Sequence, residues 1–441
     1  MASEISIIDR ARWGRAHWLI FSSASVGFFL WGIINTLGYA FYPEYSNLGY
    51  LVTVAAMPLI GDLLLARLSD RLFGRKGTYL LTMLLYGAGS LAVVLDLLFV
   101  PKGLLQMVIF LIAYGVALFG VEGEVPVGLS LLAETTPAEK RQKALILAPN
   151  FENIGAAAAA AVAYAVYYLR NSFALDAMAV AVMAIAGLTV AVVLRFLMPE
   201  SARWLLAKGR EREASESARA LTSGGVSDRE VGEASPTVGL GARFAVLTVW
   251  ALANYLSWSF MAFLFADEFF TGNAVNLIML AANAGASAAG FAAAAFVDAL
   301  DARDFTLVAF GTAVASFLPV VYVLAAHAYT LPLISALAFE NLFFITFTWF
   351  VRTIYEPLLF PTQNRAFMVG LVRSVAISAY TASTYLTASF SAAEFVAYGM
   401  AFQVAGLAAA VWWRLRGYDV RMKTLESVSS VVATRGWAGY R

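Results

Sequence analysis

Six ionisable side chains lie inside stretches of this chain that are otherwise apolar: the acids Glu122, Glu124, Glu152 and Glu340, and the bases Arg352 and Arg373. Placed in hydrocarbon, such a group costs at least about 2.5–3.5 kcal/mol, so it marks a pathway or a pair. A carboxyl poised between its charged and neutral forms can take up and release protons. Glu124, Glu122 and Glu152 are therefore candidates for proton coupling, and no base embedded in the first half of the chain offsets them. Glu122 and Glu124 are two residues apart, about 200° around a helix, so they face different ways. Arg373 is a fixed cation suited to holding a carboxylate or phosphate bidentately, with a pair to Glu340 as the alternative. Arg352 sits close enough to a segment end to reach water. Asn150 and Asn153 share a helix face and are placed to line a cavity or to bond between helices. Asn35, Glu340, Asn341, Asn254 and Trp258 complete the candidate substrate-binding set.

The elements that position these groups follow from composition. Of 441 residues, 61% are hydrophobic and 13% charged, with mean hydropathy +0.74. A soluble domain carries about 25% charged residues, so lipid is the solvent here. A net charge of +1 excludes a nucleic-acid footprint. The absence of Cys excludes disulfides, thiolate metal sites and cysteine nucleophiles, and two histidines make no metal centre. No cleavable signal is expected at the charged N-terminus. No GxxxxGK[ST] loop occurs to power a nucleotide-driven pump.

Apolar runs long enough to span fall at about 17–41, 47–67, 77–99, 104–133, 142–168 and 174–197. A second set falls at about 243–269, 274–298, 305–326, 330–360, 365–388 and 392–416. Between the sets lies a polar segment with KGREREASESARA and GGVSDREVGEASP, too charged to span. Basic residues crowd alternate connections (Arg67, Arg71, Arg75, Lys76, Lys140, Arg141, Lys143, Arg303, Arg365), while the opposite loops hold only Lys102 and Arg170. The positive-inside rule then puts both termini and the linker in the cytosol. The expected division is an N-terminal bundle 1–198, a cytosolic linker 199–242, a C-terminal bundle 243–418 and a cytosolic tail 419–441. Two faint repeats support it: AETTPAEKRQKA and EPLLFPTQNRAF each place a Pro four residues before an Arg, Pro137 with Arg141 and Pro361 with Arg365.

Three motifs in register carry a family resemblance. SDRLFGRK (Ser69 to Lys76) resembles the loop 2–3 signature of the major facilitator superfamily. PESARWLLAKGR (Pro199 to Arg210) resembles the element after helix 6 in its sugar-porter and related metabolite–proton symporter branches. VEGEVPVGLSLLAETTPAEKR (Val121 to Arg141) is similar to the helix 4 segment of the organic-acid and metabolite symporters, whose acid matches Glu124. The resemblance implies an all-α membrane protein with twelve transmembrane helices in two six-helix bundles. It also implies a gate in which Asp70, Arg71, Arg75, Glu134, Arg141, Glu200, Arg203 and Arg365 latch the halves on the cytosolic side. Three positions depart from the pattern: Ala66 replaces a glycine, Phe73 adds a residue before Gly74, and Leu358 stands where the second repeat needs an acid, with Glu356 displaced. The helix 1 acid of many family symporters is missing, with Ile34 and Asn35 in its place.

The expected function is secondary transport of a small metabolite across the cell membrane by alternating access, coupled to protons, by a monomer in the lipid bilayer. An organic anion is the favoured substrate, on the strength of Arg373 and the helix 4 segment, with a sugar or polyol second. A transporter-like receptor that binds without carrying is the alternative of another class. An enzyme is not expected, since no nucleophile–base set is present, and no cofactor or metal is implied.

Overall fold

A computed structural model describes residues 5–45, 48–170, 172–259, 268–387 and 389–431. Twelve long helices run through it: α1 (Arg15–Tyr45), α2 (Leu48–Leu68), α3 (Gly74–Phe99), α4 (Leu104–Thr135), α5 (Ala138–Arg170), α6 (Phe173–Leu197), α7 (Leu240–Ser259), α8 (Asn273–Phe296), α9 in two pieces (Ala302–Ala315 and Phe317–Ala326), α10 (Leu331–Leu358), α11 (Arg365–Leu386) and α12 (Ala392–Arg416). They coincide with the twelve expected spans to within a few residues at most ends, because a run of about 20 apolar residues in lipid must satisfy its own backbone as a helix. Ten stretches among the described residues are long and apolar enough to cross a membrane; one, Leu48–Phe99, covers 52 residues and holds both α2 and α3. Side chains such as Leu84, Leu91 and Leu98 on α3 and Val190, Val193 and Phe196 on α6 lie exposed on the outer surface. A soluble protein would bury such a girdle; lipid accepts it.

The helices form two six-helix bundles, with short helices Ala202–Ala207 and Glu211–Thr222 in the polar segment joining them. The bundles meet mainly where α2 packs on α11 and α5 on α8. At α2–α11, a Cβ on Gly370 would lie 2.3 Å from the Asp62 carbonyl and 3.4 Å from the Ala66 Cβ. The glycine missing at Ala66 is thus supplied across the interface by Gly370. At α5–α8, Asn150 Nδ2 donates to the Ser287 carbonyl at 2.9 Å, and a Cβ on Gly290 would strike the Asn150 amide. Close backbone approach of this kind is how helices associate in lipid. Gly370→Leu should wedge α2 from α11 at about 1–3 kcal/mol of overpacking, enough to displace a two-state population by roughly one to two decades. Labelling of a single introduced cysteine on the linker face, in a chain that has none of its own, should rise accordingly; unchanged labelling would mean the contact is not needed for closure.

Candidate functional site

The first cluster closes the face that carries the linker. The residue added by Phe73 is absorbed by a π turn over Ser69–Phe73, the usual device for a one-residue insertion, so Asp70 and Arg75 still meet. Gly74 follows with φ 75°, and a side chain there would strike the Glu200 carboxylate. Arg75 Nη1 donates to Asp70 Oδ1 at 2.6 Å, while its Nε and Nη2 grip both Glu134 oxygens at 3.1 and 2.7 Å. From the other bundle, Arg365 Nη1 reaches Glu134 Oε1 at 2.8 Å. Asp70 in turn accepts the backbone N–H groups of Ala366 at 3.3 Å and Phe367 at 2.8 Å, capping the N-terminus of α11 across the interface. Glu200 caps α3 in the same way through the N–H groups of Arg75 and Lys76, both at 3.0 Å. Asp70, Arg75, Glu134 and Arg365 are wholly buried. Arg71 is exposed and lies outside the network. Arg365 has no acid in its own repeat because Leu358 replaces it, and Glu356 serves Arg352 instead, at 2.8 Å; Arg365 therefore turns to the first bundle.

Arg141 and Arg203 belong to a neighbouring clamp built on the two chain termini. Both contact Asp9, which also accepts the Leu425 N–H at 3.1 Å. Arg141 donates to the Lys423 carbonyl at 3.0 Å, and Arg203 pairs with Glu426 at 2.7 Å. The tail therefore crosses from the second bundle onto the first. Burial alone would raise the Glu426 carboxyl; the Arg203 guanidinium outweighs it and holds it at about 2. A depressed carboxylate contributes stability above its unfolded value of about 4.3 and loses it as pH falls toward 2. The side chain is 53% exposed, so the contribution is screened and small. Acidification from pH 5 to 2.5 should raise hydrogen exchange at the tail amides before those of the bundle cores; Glu426→Gln should show the raised rate already at pH 5.

The second cluster lies near the middle of α11. Arg373 sits eight residues beyond Arg365, about 12 Å along α11, and is fully buried. Its Nε donates to both Asp62 oxygens at 3.1 Å and its Nη2 to Glu122 Oε2 at 2.7 Å. Its guanidinium lies 5.2 Å over the Trp31 ring, and Asn35 Nδ2 donates to Glu122 Oε1 at 3.2 Å. Glu152 stands near enough to couple electrostatically to Glu122 and Arg373. Alongside, Arg352 bonds Glu356 and Asn254 at 2.8 Å each, between the Tyr255 and Trp349 rings at 5.0 Å. Trp31 and Trp349 bridge the two arginines at a ring separation of 6.1 Å. Arg373 Nη1, Arg352 Nη2, Glu356 Oε2 and both indole N–H groups are buried without a hydrogen-bond partner among the described residues.

A third group occupies the back of α4. Glu124 is held by both terminal nitrogens of Arg195, by Thr82 and, through Arg195, by the Tyr79 carbonyl.

Several sequence expectations change here. A base does offset the acids of the first bundle: Arg195 for Glu124, and Arg373, reaching over from α11, for Glu122. Arg373 does not pair with Glu340, which is half-buried, and is no free cation, since two carboxylates hold it. Arg352 does not reach water; it is fully buried among aromatics. Asn153 donates to Asn150 at 3.3 Å, Asn341 to Ser316 Oγ at 2.9 Å at the break in α9, and Trp258 packs against a separate apolar cluster with Ile278 and Phe317. Asp62, Arg195, Asp9 and Glu426 were missed. Asp62 and Arg195 each carried a signal, as a charged residue inside a run of apolar ones.

The sequence profile described as the Major Facilitator Superfamily matches residues 17–379. No curated protein matches the chain. Among solved structures, the proton:xylose symporter XylE bound to 6-bromo-6-deoxy-D-glucose gives a TM-score of 0.72 at 16% identity, covering 93% of this chain and 98% of that one. The partially occluded inward-open conformation of the xylose transporter XylE from E. coli gives 0.64 at 18% identity, over 90% and 96%. The inward-open conformation of the same transporter gives 0.61 at 16%, over 93% and 98%. At these identities the likeness is one of fold.

Proposed function

The chain belongs to the Major Facilitator Superfamily, and from that premise we propose that it is a proton-coupled carrier of a small neutral polyhydroxylated solute, a sugar or polyol. The family is one of multi-pass membrane transporters, not enzymes. The observation that carries the finer reading is the second cluster, where Arg373 of one bundle is shared by Asp62 and Glu122 of the other. Four carboxyls (Asp62, Glu122, Glu152 and Glu356) face two guanidiniums there. The cluster thus holds more acids than its cations can pair. Asp62 and Glu122 are the proposed coupling acids, because separation of the bundles changes the charge each one faces.

The solute class follows from the same groups. An anion must displace two carboxylates from Arg373, whereas a neutral hydroxylated solute can leave both pairs in place and offer hydroxyls to the unpaired donors and acceptor of the cluster. The fold likeness to a xylose symporter is in keeping with that choice. It is preferred here to the organic anion, whose case rested on Arg373 and the helix 4 segment, because Arg373 is held by two carboxylates. The proposed division places bundles at 1–198 and 243–418, with the linker 199–242 and the tail 419–441 on the cytosolic side of the cell membrane. With the latch on the linker face made, the state described is shut on that side.

The test is reconstitution in vesicles containing a pH dye, challenged in turn with sugars, polyols, organic acids and amines. Luminal acidification driven by a sugar or polyol is the expected result. Acidification by organic acids alone would return the anion reading, and silence across the panel would remove proton coupling.

A further inference from the structure

Glu122 and Glu124 flank Gly123, and each of the three residues uses a different face of α4. Glu122 faces the other bundle and Arg373. Gly123 touches α2: a Cβ there would lie 2.6 Å from the Gly61 carbonyl, so the two backbones meet directly beside Asp62. Glu124 faces backwards, into a pocket closed by three helices. Arg195 of α6 grips it with a fork, donates to the Tyr79 carbonyl at 2.7 Å, and lies over the Tyr79 ring at 4.7 Å and the Tyr86 ring at 5.5 Å. Thr82 of α3 adds a third donor, and Gly27 of α1 comes so close that a Cβ would sit 2.1 Å from Glu124 Oε1. The cavity beside the carboxylate, lined by Ala24, Gly27, Phe28 and Tyr79, has a volume of about 10 Å³, room for one water and no solute.

We infer that Glu124 and Arg195 form a positioning pair that fixes the rotation of α4, and thereby holds Glu122 and, through the Gly61–Gly123 contact, Asp62 on Arg373. A bidentate guanidinium–carboxylate pair defines an angle as well as a distance. One residue's rotation of α4, about 100°, would remove both acids from their partners together. Glu124 is thus taken out of the list of coupling acids that its sequence context suggested. This inference rests on the proposed role of Asp62 and Glu122 and names what aligns them. The charged and titratable groups of the cluster around Glu122 are Asp62 from α2, Glu152 from α5, Tyr255 from α7, Glu356 from α10 and Arg373 from α11, none of which touches Arg195.

The experiment compares Glu124→Gln/Arg195→Met with Glu124→Gln, Arg195→Lys, Asp62→Asn and Glu122→Gln in vesicles, scoring uptake, proton-to-solute ratio and pH profile per folded carrier. The double variant removes both charges, so no unpaired ion is left buried. It should reduce proton-driven uptake about tenfold through misplacement of the acids and move the pH midpoint by about one unit. Arg195→Lys, which keeps the charge and loses the fork, should fall between. A pair that merely stabilises the fold would lower the yield of folded carrier and leave ratio and pH midpoint at the parent values, and that result in the double variant overturns the inference. Loss of proton coupling on Glu124→Gln with exchange intact and Arg195→Lys silent would also overturn it, making Glu124 itself the coupling acid. Should Asp62→Asn and Glu122→Gln both be inert, the proposed site fails instead; should they impair coupling while the double variant does not, the site stands and the positioning role falls.

Discussion

Arg373→Met should reduce proton-driven uptake to background, a loss of at least about two decades, and should lower the melting temperature. The variant leaves Asp62 and Glu122 buried, adjacent and without a cation. Removing one partner from a buried ionic group costs about 3–5 kcal/mol, a large share of the stability of any single bundle. The carboxylates would relieve the strain by protonating, which fixes both in their neutral form and ends their use as proton carriers. The triple variant Arg373→Met, Asp62→Asn, Glu122→Gln separates the two consequences. It should regain the melting temperature, having no unpaired charge, and remain uncoupled. Recovery of proton-driven uptake in the triple variant would show that coupling lies elsewhere, with Glu152 or Glu340 next to be examined.

Glu134→Gln should have the second largest effect, on conformation rather than chemistry. Glu134 is the point at which Arg75 of one bundle and Arg365 of the other meet. An amide offers one acceptor oxygen where the carboxylate offers two charged ones, so both arginines lose a charge-assisted bond; the Arg365 bond crosses between the bundles, and its loss falls only on the state in which the linker face is shut. A differential of about 3 kcal/mol would shift the equilibrium by roughly two decades. Solute binding should change little, turnover should fall, and a single cysteine placed on the linker face should become readily labelled. Unaltered labelling and turnover would show the network to be structural only.

The fold was legible because lipid simplifies the problem: every apolar run of sufficient length becomes a helix, and the basic residues between the runs order them. The latch was legible in part, since SDRLFGRK and AETTPAEKR carry the family resemblance that implies a gate of Asp70, Arg75 and Glu134, although Arg75 and Glu134 stand 59 residues apart. Other contacts over long sequence separations were not. Nothing in the spacing of Arg373 and Asp62, 311 residues apart, indicates that they meet, and Arg373 therefore read as a free cation waiting for a substrate. Arg195, two residues before the end of its helix, carries no periodic signal, although it turns inward to Glu124. Asp9 and Glu426 lie in segments whose composition says only that they are polar, and their meeting depends on where the tail crosses.

The bundles touch through glycines and amides instead of interlocked large side chains: Gly370 slides on the backbone at Asp62, and Gly290 on Asn150. Surfaces of this kind have few rotamers to unlock during a stroke, so the friction of the movement is low and the barrier is concentrated in the ionic groups. Turnover in this carrier should accordingly respond to salt and pH more steeply than to the viscosity or thickness of the lipid around it.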